Sequence, residues 1–513
     1  MAAENKPSNS KIKTLAELAG IAAALRKKGK KTVLCHGVYD LLHPGHIKHL
    51  EAAKKEGDVL LVTLTPDEYV GKGPGRPVFN QFLRCEALAA LGVVDYVAVN
   101  QWRTAVETIK TLKPDVYAKG SDYAAPEKDV TGGIEREREA VESAGGRMHF
   151  TDEITFSSTE LLNKFFNVFS GETKTFIEDF RKQYCLSSVL DAVKSLQDLK
   201  VLVIGDAIVD EYHYCRGLSK PPKDNIVCAQ FLGEERFAGG SLACANHAAG
   251  FCKEVRLLTC LGAADAKQEF VDEHLKPNVR REFFIRPDSC TVVKRRFVDP
   301  VFLHKLFEVA FFDDHEIPAA LEKKICARLE KIVPAYDMVL VSDFGHGFIT
   351  RRMIDIICKK ARFLAVNTQT NSANAGYNLI TKYPRVDYVC IDEPEMRLAA
   401  QSRYGELKDI IKTMARRLRA GRIAVTRGHK GSITFDSKTG FHEIPTFTDK
   451  VVDRVGAGDA FLSVTAPLMA AGAPAKLAGF VGNAVAGIKV GIVCNRSSVE
   501  PVPLYKFLTT LLK

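Results

Sequence analysis

The chain has 513 residues, a length that allows roughly two to four domains and excludes a single small module. Apolar residues make up 46 % and charged residues 26 %, a balance that excludes a mainly disordered or fibrous protein. The net charge of +10, from 72 basic and 62 acidic residues, is mild over this length and suits phosphate-rich small substrates as well as nucleic acid.

The thirteen cysteines are odd in number, form no C-x-x-C pair and follow no signal-peptide pattern. We therefore expect reduced thiols and a cytoplasmic protein without structural zinc. The polar residues 1–11 are typical of a solvated tail. The low-charge stretch 460–493 is interrupted by prolines and lysines, which favours buried helices over a membrane span.

Apolar runs alternate with amphipathic stretches from residue 30 onward. The runs 32–35 and 59–64 flank an amphipathic stretch at 45–54, a strand, helix and strand pattern. Further strand-like runs follow at 96–99, 115–118 and 147–150, with a helix predicted over 81–91. This pattern predicts an α/β domain with a compact parallel sheet over residues 30–169, after an N-terminal tail and helix at 1–29.

Two histidines stand where the first of these helices begins, in the segment 35–46 that reads C-H-G-V-Y-D-L-L-H-P-G-H. His43 and His46 are three residues apart around a Pro-Gly pair, so their rings can converge at the helix N-terminus, where phosphate is favoured. Imidazoles can donate to oxygens on which charge grows, and Gly37 and Gly45 allow phosphates close to the backbone. For an isolated H-x-G-H, capping or core histidines are the alternative.

This segment resembles the G-x-[FY]-D-x-x-H-x-G-H signature of cytidylyltransferase-like nucleotidyltransferases. More narrowly, residues 30–168 resemble the adenylyltransferase half of bifunctional heptose 7-phosphate kinase/heptose 1-phosphate adenylyltransferases, through K-G-x-x-R-P-V at 72–78 and K-G-x-D-Y at 119–123. The resemblance implies a Rossmann-like fold and catalytic roles for His43, His46 and Lys72. It implies nucleotide contacts by Gly37, Tyr39, Asp40, Gly45, Arg84, Lys119, Ser157, Ser158 and Thr159, and substrate contacts by Arg76 and Asp122.

These residue types suit transfer at phosphorus. Lys72, Arg76 and Lys119 can neutralise a triphosphate and a sugar phosphate, and Ser158 and Thr159 hydroxyls at a helix start can bind phosphate oxygens. No activated nucleophile is required, because the sugar phosphate itself attacks the α-phosphorus in line. Mg²⁺ usually bridges the phosphates in such reactions.

The alternating pattern breaks near residue 170. Residues 172–199 read as polar amphipathic helices, which we treat as a connector over 170–199; it is either a spacer or the seam of a homodimer. A strand-like run at 200–204 then opens a longer alternating region, with further runs at 338–341, 363–366, 388–391 and 422–425. This predicts a second, larger α/β domain over residues 200–513.

The segment 453–461 reads D-R-V-G-A-G-D-A-F ahead of an alanine-rich helical region. The small residues Gly456, Ala457 and Gly458 allow consecutive N–H groups to form a cradle for negative charge at a helix N-terminus. Asp459 is placed to take a proton from a substrate hydroxyl. For an isolated G-A-G-D, a plain turn before a helix is the alternative.

This segment is similar to the D-x-x-G-A-G-D signature of the ribokinase-like (PfkB) carbohydrate kinases, and residues 200–510 carry further family landmarks in the usual order. The resemblance implies a ribokinase-like α/β fold with Asp459 as the catalytic base. It implies nucleotide contacts by Thr426, Gly428, Gly431, Gly456, Ala457 and Gly458. It implies sugar contacts by Asp206, Asp210, Gly239, Gly240, Asn246, Lys294, Arg296 and Asp343, and Mg²⁺ organised by Asp392 and Glu395.

Several departures leave the sugar and the strength of the kinase open. Ala243 stands where heptose kinases have asparagine, with Asn246 three residues later, and His346 replaces a lysine. The sequence N-T-Q at 367–369 replaces D-P-K, which removes a carboxylate and a cation. Lys294 and Arg296 lie on a predicted strand pair with Lys305, where related kinases contact the sugar's phosphate; a solvated basic face is the alternative.

We therefore expect a bifunctional enzyme that phosphorylates the anomeric hydroxyl of a sugar, such as a heptose 7-phosphate, and then transfers a nucleoside monophosphate from ATP to it. CTP as the donor, or a nucleotidyltransferase with a degenerate regulatory kinase domain, are the alternatives. The expected partners are a sugar phosphate and a nucleoside triphosphate, with no membrane and no nucleic acid. Basic and aromatic residues do not interleave, and Trp102 is the sole tryptophan, which disfavours a nucleic-acid-binding protein.

Overall fold

The computed structural model describes residues 10–70, 76–121, 133–151, 169–221, 223–313 and 315–513. The chain divides into two units, residues 1–170 with 505–513 and residues 171–504. The domain limits predicted above stay predictions. The described part of the chain contains no helix with the length and apolar character needed to cross a membrane.

The first unit is built on five parallel strands in the order β3-β2-β1-β4-β5. The strands are β1 Thr32–Gly37, β2 Val59–Leu64, β3 Tyr96–Val99, β4 Val116–Gly120 and β5 Arg147–Thr151, and the helices are α1 Leu15–Lys27, α2 Pro44–Lys54, α3 Gln81–Ala89, α4 Val106–Leu112 and α5 Gly133–Ser143. The apolar residues of the central strands β1 and β2 are buried on both faces, so these two strands read as apolar runs. The predicted α/β class and parallel sheet are confirmed.

The second unit holds a nine-stranded sheet in the order β10-β9-β6-β13-β14-β15-β16-β17-β18, parallel up to β16. Its strands are β6 Lys200–Gly205, β9 Glu254–Gly262, β10 Val279–Arg286, β13 Met338–Asp343, β14 Leu364–Thr368, β15 Tyr388–Asp392, β16 Arg422–Thr426, β17 Ser432–Asp436 and β18 Gly440–Ile444. The helices from here to the end of the chain are α6 Gly171–Gln183, α7 Leu186–Lys194, α8 Ser241–Phe251, α9 Gln268–His274, α10 Ala319–Ile332, α11 Arg351–Lys360, α12 Glu393–Ala399, α13 Leu407–Arg417, α14 Ala457–Ala470, α15 Ala475–Lys489 and α16 Pro501–Leu512.

A second sheet of this unit, here called the small sheet, has four strands in the order β12-β11-β7-β8. They are β7 Ala207–Gly217, β8 Ala229–Gly240, β11 Val292–Val298 and β12 Lys305–Phe311. The predicted pairing of the strands that carry Lys294 and Lys305 is confirmed, and it is antiparallel. Every residue of β12 is exposed, so the small sheet presents an open edge.

The predicted connector is helical and packs onto the second unit. Helix α6 places Phe180 in a stack on Phe480, with ring centroids 4.0 Å apart, and Phe447 packs against Phe480 at 5.2 Å. Phe180 is fully buried. The aromatic burial fixes α6 to the helix α15.

Candidate functional site

The histidine pair of the first unit lies at the point where the strand order reverses. Strand β1 has β2 on one side and β4 on the other, and chain segments leaving β1 and β4 diverge there, which is where open α/β sheets bind ligands. His43 is the N-cap residue of α2, with extended backbone, and Pro44 occupies the first helical position. Its ring stacks on that of His46 with centroids 3.9 Å apart. The predicted convergence of the two rings is therefore present.

The surroundings of His43 control its charge. Burial lowers the pKa of His43, so its imidazole is neutral at pH 7 and offers one N–H donor. Tyr39 has a left-handed backbone, with φ of 50°, and its ring meets His46 edge-on at 5.3 Å. A Cβ on Gly37 would lie 3.1 Å from the Tyr39 ring. Glycine at 37 thus lets Tyr39 pack beneath the histidines.

Asp40 holds the chain that leads into α3. Its Oδ1 accepts hydrogen bonds from the N–H groups of Val78, at 2.6 Å, and Phe79, at 3.2 Å. Arg76 is buried beside it; burial lowers the pKa of the guanidinium, and the Asp40 carboxylate opposes that shift. Asp40 therefore anchors this loop through its backbone and lies close enough to Arg76 to favour the charged guanidinium.

Arg84 differs from its predicted role as a nucleotide ligand. Its side chain is fully buried and donates to the carbonyls of Phe79, Val38 and Thr65. It also pairs with Asp67 at 2.5 Å. Because the guanidinium N–H groups are occupied by these partners, Arg84 stabilises the loops around α3 and presents no atom to a nucleotide in this conformation.

Lys119 lies at the end of β4 and forms an ion pair with Glu137 at 3.0 Å. Tyr117 also donates its hydroxyl to that carboxylate at 3.0 Å, and the ammonium sits 5.2 Å from the Tyr117 ring. A phosphate drawn to Lys119 has to compete with Glu137. Lys72, Asp122, Ser157, Ser158 and Thr159 lie outside the described residues.

In the second unit, Asp206 and Asp343 lie at the corresponding reversal of strand order. Strand β6 pairs with β9 on one side and β13 on the other, and the two aspartates stand at the carboxyl ends of β6 and β13. Asp206 accepts the N–H of Phe344 at 2.9 Å. Burial, with the Asp343 carboxylate adding to it, raises the pKa of Asp206 to about 7. Asp206 is thus poised between its acid and carboxylate forms at neutral pH.

Asp343 is occupied by protein partners. Its Oδ2 accepts the Tyr383 hydroxyl and the Lys382 ammonium, each at 2.6 Å, and its Oδ1 accepts the N–H of Gly345 at 3.1 Å. The side chain is 1 % exposed. In this arrangement Asp343 shapes the site through Asp206 and is not presented to a sugar.

Asp210 lies on β7, where the small sheet meets the two predicted glycines. A Cβ on Gly239 would stand 2.1 Å from Asp210 Oδ2, and one on Gly240 would stand 2.6 Å from the Asp206 carbonyl oxygen. Gly240 also has a φ of 57°, which other residues adopt at a cost. Both glycines are needed so that the two aspartates and their loops can come together. Arg296 pairs with Asp210 at 2.5 Å.

The predicted base, Asp459, lies in the first turn of α14. Gly456 is the N-cap residue with a φ of 79°, and the first amides of a helix have no partner within it, so the N–H groups of 456–458 lie at a helix end that favours an anion. The Ala457 N–H donates to the Arg454 carbonyl at 3.3 Å in this structure. Burial, with Asp210 adding to it, raises the pKa of Asp459 to about 6. The Cys244 thiol lies 3.8 Å from Asp459 Oδ1. A carboxylate of raised pKa beside an anion cradle fits a general base.

The basic residues near this site have different interaction partners. Lys294 is buried, and its ammonium lies 5.2 Å from the Phe344 ring. Burial lowers its pKa, and Asp210 and Asp206 oppose the shift. Arg296 also pairs with Glu308, and Lys305 pairs with Asp453. Lys294 is therefore a buried cation influenced by both Asp206 and Asp210, whereas Arg296 is paired directly with Asp210.

Two further predicted residues are placed by the protein itself. Asn246 donates to the carbonyl of His274 at 2.7 Å and accepts the N–H of Lys276 at 2.9 Å, so its amide is engaged by backbone and anchors the loop after α9. His346 lines a small cavity beside Asp206 together with Arg286. Burial lowers the pKa of His346 to about 3, so the lysine of heptose kinases is replaced here by a neutral ring.

The predicted metal residues form the start of α12. Asp392 Oδ1 accepts the Glu395 N–H at 2.8 Å, and Glu395 Oε2 accepts the Asp392 N–H at 3.0 Å, a capping box. Burial, with Asp392 adding to it, raises the pKa of Glu395 to about 7. Within the described ranges, no three His, Cys, Asp or Glu side chains are grouped to hold a metal ion by themselves. The half-buried Asp392 and the buried Glu395 fit Mg²⁺, which takes one or two carboxylates and completes its shell with water and substrate phosphates.

The predicted nucleotide turn follows β16. Thr426 ends the strand, Gly428 has a φ of 57° and Gly431 a φ of 78°. A Cβ on Gly431 would lie 2.0 Å from the Ile444 carbonyl oxygen, so this turn requires glycine where it crosses β18.

Three residues around Asp459 escaped the sequence analysis. Asp453 accepts the hydroxyl of Tyr212, at 2.7 Å, while Lys489 donates to the carbonyl of Val455 at 2.8 Å. Asp453 could have been found from the sequence, because it is the first residue of the D-x-x-G-A-G-D segment. Tyr212 and Lys489 could not, since their partners are distant in sequence or are backbone atoms.

Two family models match the chain. The model described as "Cytidylyltransferase-like" matches residues 34–164, and the model described as "pfkB family carbohydrate kinase" matches residues 198–499. The two matches follow each other along the chain without overlap.

Curated relatives match its N-terminal region. The "Bifunctional protein HldE" of Geobacter metallireducens is 40 % identical over 178 residues, 34 % of this chain and 34 % of that protein. The protein of the same name from Aliarcobacter butzleri is 47 % identical over 127 residues, 24 % of this chain and 26 % of its own length. The chain thus spans about a third or less of the length of these relatives.

The fold of the second half is also found among solved structures. Phosphofructokinase-2 from Escherichia coli in complex with potassium aligns with a TM-score of 0.50 at 12 % identity, covering 61 % of this chain and 100 % of that one. This likeness concerns the fold alone. Because the carbohydrate kinase model covers residues 198–499, more than half of the 513, the chain belongs to the pfkB family of carbohydrate kinases.

Proposed function

We propose that this chain makes a nucleotide-activated sugar in two steps. The second unit phosphorylates the anomeric hydroxyl of a sugar with ATP, and the first unit transfers a nucleoside monophosphate to the resulting sugar 1-phosphate. The observation that carries the kinase half is Asp459 of raised pKa, standing directly after the amide cradle 456–458 and near Asp210.

The kinase step follows from these groups. Asp206 and Asp210 accept hydrogen bonds from sugar hydroxyls and so orient the ring. Asp459 removes the proton of the anomeric hydroxyl as its oxygen attacks the γ-phosphorus, and the bond from that phosphorus to ADP breaks. The amides of 456–458 receive the negative charge that grows on the transferred group.

Mg²⁺ fits the carboxylates Asp392 and Glu395, and when bound it supplies positive charge that neutralises the nucleotide phosphates. In this chain the two carboxylates fix the start of α12 through their capping box, so they are held ready by the backbone. Burial without a cation raises the pKa of both, which is the environment that a cation relieves.

The nucleotidyl step uses the first unit. An oxygen of the sugar 1-phosphate attacks the α-phosphorus of the nucleoside triphosphate, and pyrophosphate leaves. His43 and His46, stacked at the start of α2, donate hydrogen bonds to the phosphate oxygens, and the N-terminus of α2 adds its dipole. Lys72, Ser158 and Thr159 are further proposed phosphate ligands, and Lys119 joins them when it exchanges Glu137 for phosphate.

The proposed sugar is a heptose 7-phosphate and the proposed nucleotide donor is ATP. The relatives of the first unit carry the name HldE, which supports a heptose substrate. Lys294, buried beside Asp206 and Asp210, supports a substrate that brings its own negative charge. The free thiols of all thirteen cysteines support a cytoplasmic location.

A product assay tests both halves. The full chain is supplied with ATP, CTP, GTP or UTP, Mg²⁺ and a panel of heptose and hexose phosphates, and the products are identified by mass spectrometry. We expect ADP and a sugar 1-phosphate from the kinase, and pyrophosphate with an ADP-sugar from the transferase. Nucleotidyl transfer to added sugar 1-phosphate without any ADP from the sugar panel would show a degenerate kinase, and a CDP-sugar would show CTP as the donor.

A further inference from the structure

Lys489, the last residue of α15, is a fully buried lysine with no part in the mechanism above. Its side chain is 0 % exposed, and its ammonium donates to the carbonyl of Val455 at 2.8 Å and to that of Cys494. Burying an ammonium group is costly unless it is paired and hydrogen-bonded. Its place in the fold therefore points to a role beyond packing.

Asp453 binds the backbone N–H groups of the same two residues, Val455 and Cys494. Its Oδ1 accepts the N–H of Val455 at 3.1 Å, and its Oδ2 accepts the N–H of Cys494 at 2.9 Å. Cys494 has a φ of 40°, a left-handed backbone that a residue other than glycine keeps only when its surroundings enforce it. Lys489 and Asp453 thus clamp the loop before α14 to the loop after α15 from opposite sides.

This clamp lies directly beneath the amide cradle. Gly456 follows Val455, and a Cβ there would stand 3.2 Å from Lys489 Cε and 2.3 Å from Asn495 Oδ1. A shift of the Val455 carbonyl therefore shifts the backbone that begins α14. The amides of 456–458 keep their direction only while the two loops stay joined.

The ammonium also balances the charge of the site. Burial lowers the pKa of Lys489, whereas the carboxylates of Asp453, Asp459 and Asp210 favour its charged form. In turn Lys489 opposes the rise in the pKa of Asp459 that burial and Asp210 cause. A positive charge in this low-dielectric place acts on both the base and the incoming phosphate.

We infer that Lys489 is a positioning residue that acts as a built-in monovalent cation, joining the Val455 and Cys494 carbonyls so that the cradle 456–458 is preorganised for phosphate. Its effect on turnover rests on the proposed kinase function, whereas the cation site itself does not. Removing the side chain leaves two carbonyl oxygens around an empty space next to Asp453. A small ammonium ion fits that space in size and charge.

The test compares Lys489→Ala, which opens the space, with Lys489→Met, which fills it without charge. We expect both to lower the kinase kcat by about 10- to 100-fold, with a smaller change in the KM for the sugar, because the lost interaction acts on the transition state. Added methylammonium restores turnover in Lys489→Ala but not in Lys489→Met, and tetramethylammonium, which is too large, restores neither. Lys476→Ala, at the opposite end of the same helix where the half-buried lysine contacts Gln183 of α6, is the control that leaves kcat unchanged.

A second readout does not need turnover. Methylammonium raises the melting temperature of Lys489→Ala above that in tetramethylammonium and leaves the wild type unchanged, because only the variant offers a site in the folded state. If Lys489→Ala keeps wild-type turnover, or if methylammonium changes neither its turnover nor its melting temperature, the inference is wrong while the kinase function stands. If the wild type phosphorylates no sugar, the proposed function fails, and the melting temperatures still decide the cation site.

Discussion

Tyr212 donates its hydroxyl to Asp453 at 2.7 Å, and this bond joins the small sheet to the loop that leads into the predicted base. Lys305, on another strand of the small sheet, pairs with the other carboxylate oxygen of Asp453 at 2.5 Å. Burial opposes ionisation of Asp453, but these partners outweigh it and hold its pKa below the usual value. The small sheet and the amide cradle therefore share one carboxylate, and a change in either is transmitted to the other.

Tyr212→Phe tests that connection. The ring stays packed against Phe237, 5.2 Å away, while Asp453 loses one donor. We expect the free energy of unfolding to fall by about 1 kcal/mol and the kinase kcat to fall severalfold. Urea unfolding and a coupled ADP assay measure the two effects. Tyr214→Phe, which removes a hydroxyl bonded to Glu235, is the matched control, and an equal kcat loss in both variants would contradict a specific role for Tyr212.

Asp459→Asn separates the two half-reactions. An amide cannot take the proton of the sugar hydroxyl, so the kinase kcat should fall by about 10²- to 10⁴-fold. Pyrophosphate release from added sugar 1-phosphate should stay at the wild-type rate, because the histidine pair lies in the other unit. Asp449→Asn, an exposed carboxylate ten residues earlier, is the control. Kinase turnover that survives in Asp459→Asn would remove Asp459 from the role of base.

The same carboxylate sets an acid limit on the kinase. The pKa of Asp459 is raised to about 6 by burial and by Asp210, while Lys489, Lys294 and the Cys244 thiol oppose the rise. The base has to be ionised to accept a proton, so kcat/KM should fall as pH drops below about 6, by about tenfold per pH unit. Asp206 titrates nearby, with a pKa raised to about 7, so the profile is measured in Asp206→Asn as well. A profile flat from pH 5 to 8 in both proteins would contradict the assignment.

The sequence predicted the central sheets because of how their strands are buried. Strand β13 is buried along its whole length, so it reads as an apolar run that a sequence pattern detects. The strand β8 is mostly exposed over its first half and has no apolar run there, whereas β12 is exposed at every residue although five of its seven residues are apolar. The long hairpin of β7 and β8 was therefore missed, although the pair of β11 and β12 was expected from its basic residues.

Site residues were predictable where a glycine or a carboxylate belongs to a recognisable sequence motif, and less so where the partner is a backbone atom. Gly239 and Asp210 were both expected, and they meet. Arg84 was expected at the nucleotide, yet it donates to three carbonyls, and no side-chain pattern announces carbonyl partners. In the sequence, Lys489 was visible only as a charged residue that interrupts an apolar helix, because its partners are also backbone carbonyls. The roles of Arg84 and Lys489 depend on where the fold places those backbone carbonyls.

His46→Ala is the converse of the Asp459 variant. It removes the ring that stacks on His43 at 3.9 Å and one donor to the growing charge, so nucleotidyl transfer should fall by about 10²- to 10³-fold. His46→Gln keeps an N–H donor near the same place and should recover part of the rate, which a purely packing role would not allow. Lys48→Ala, an exposed lysine on α2, controls for damage to the helix. Each variant is assayed for pyrophosphate release with added sugar 1-phosphate and for ADP release with the sugar phosphate that the kinase uses. Loss of both activities in His46→Ala would show general unfolding, whereas unchanged pyrophosphate release would exclude the histidine pair from the transfer step.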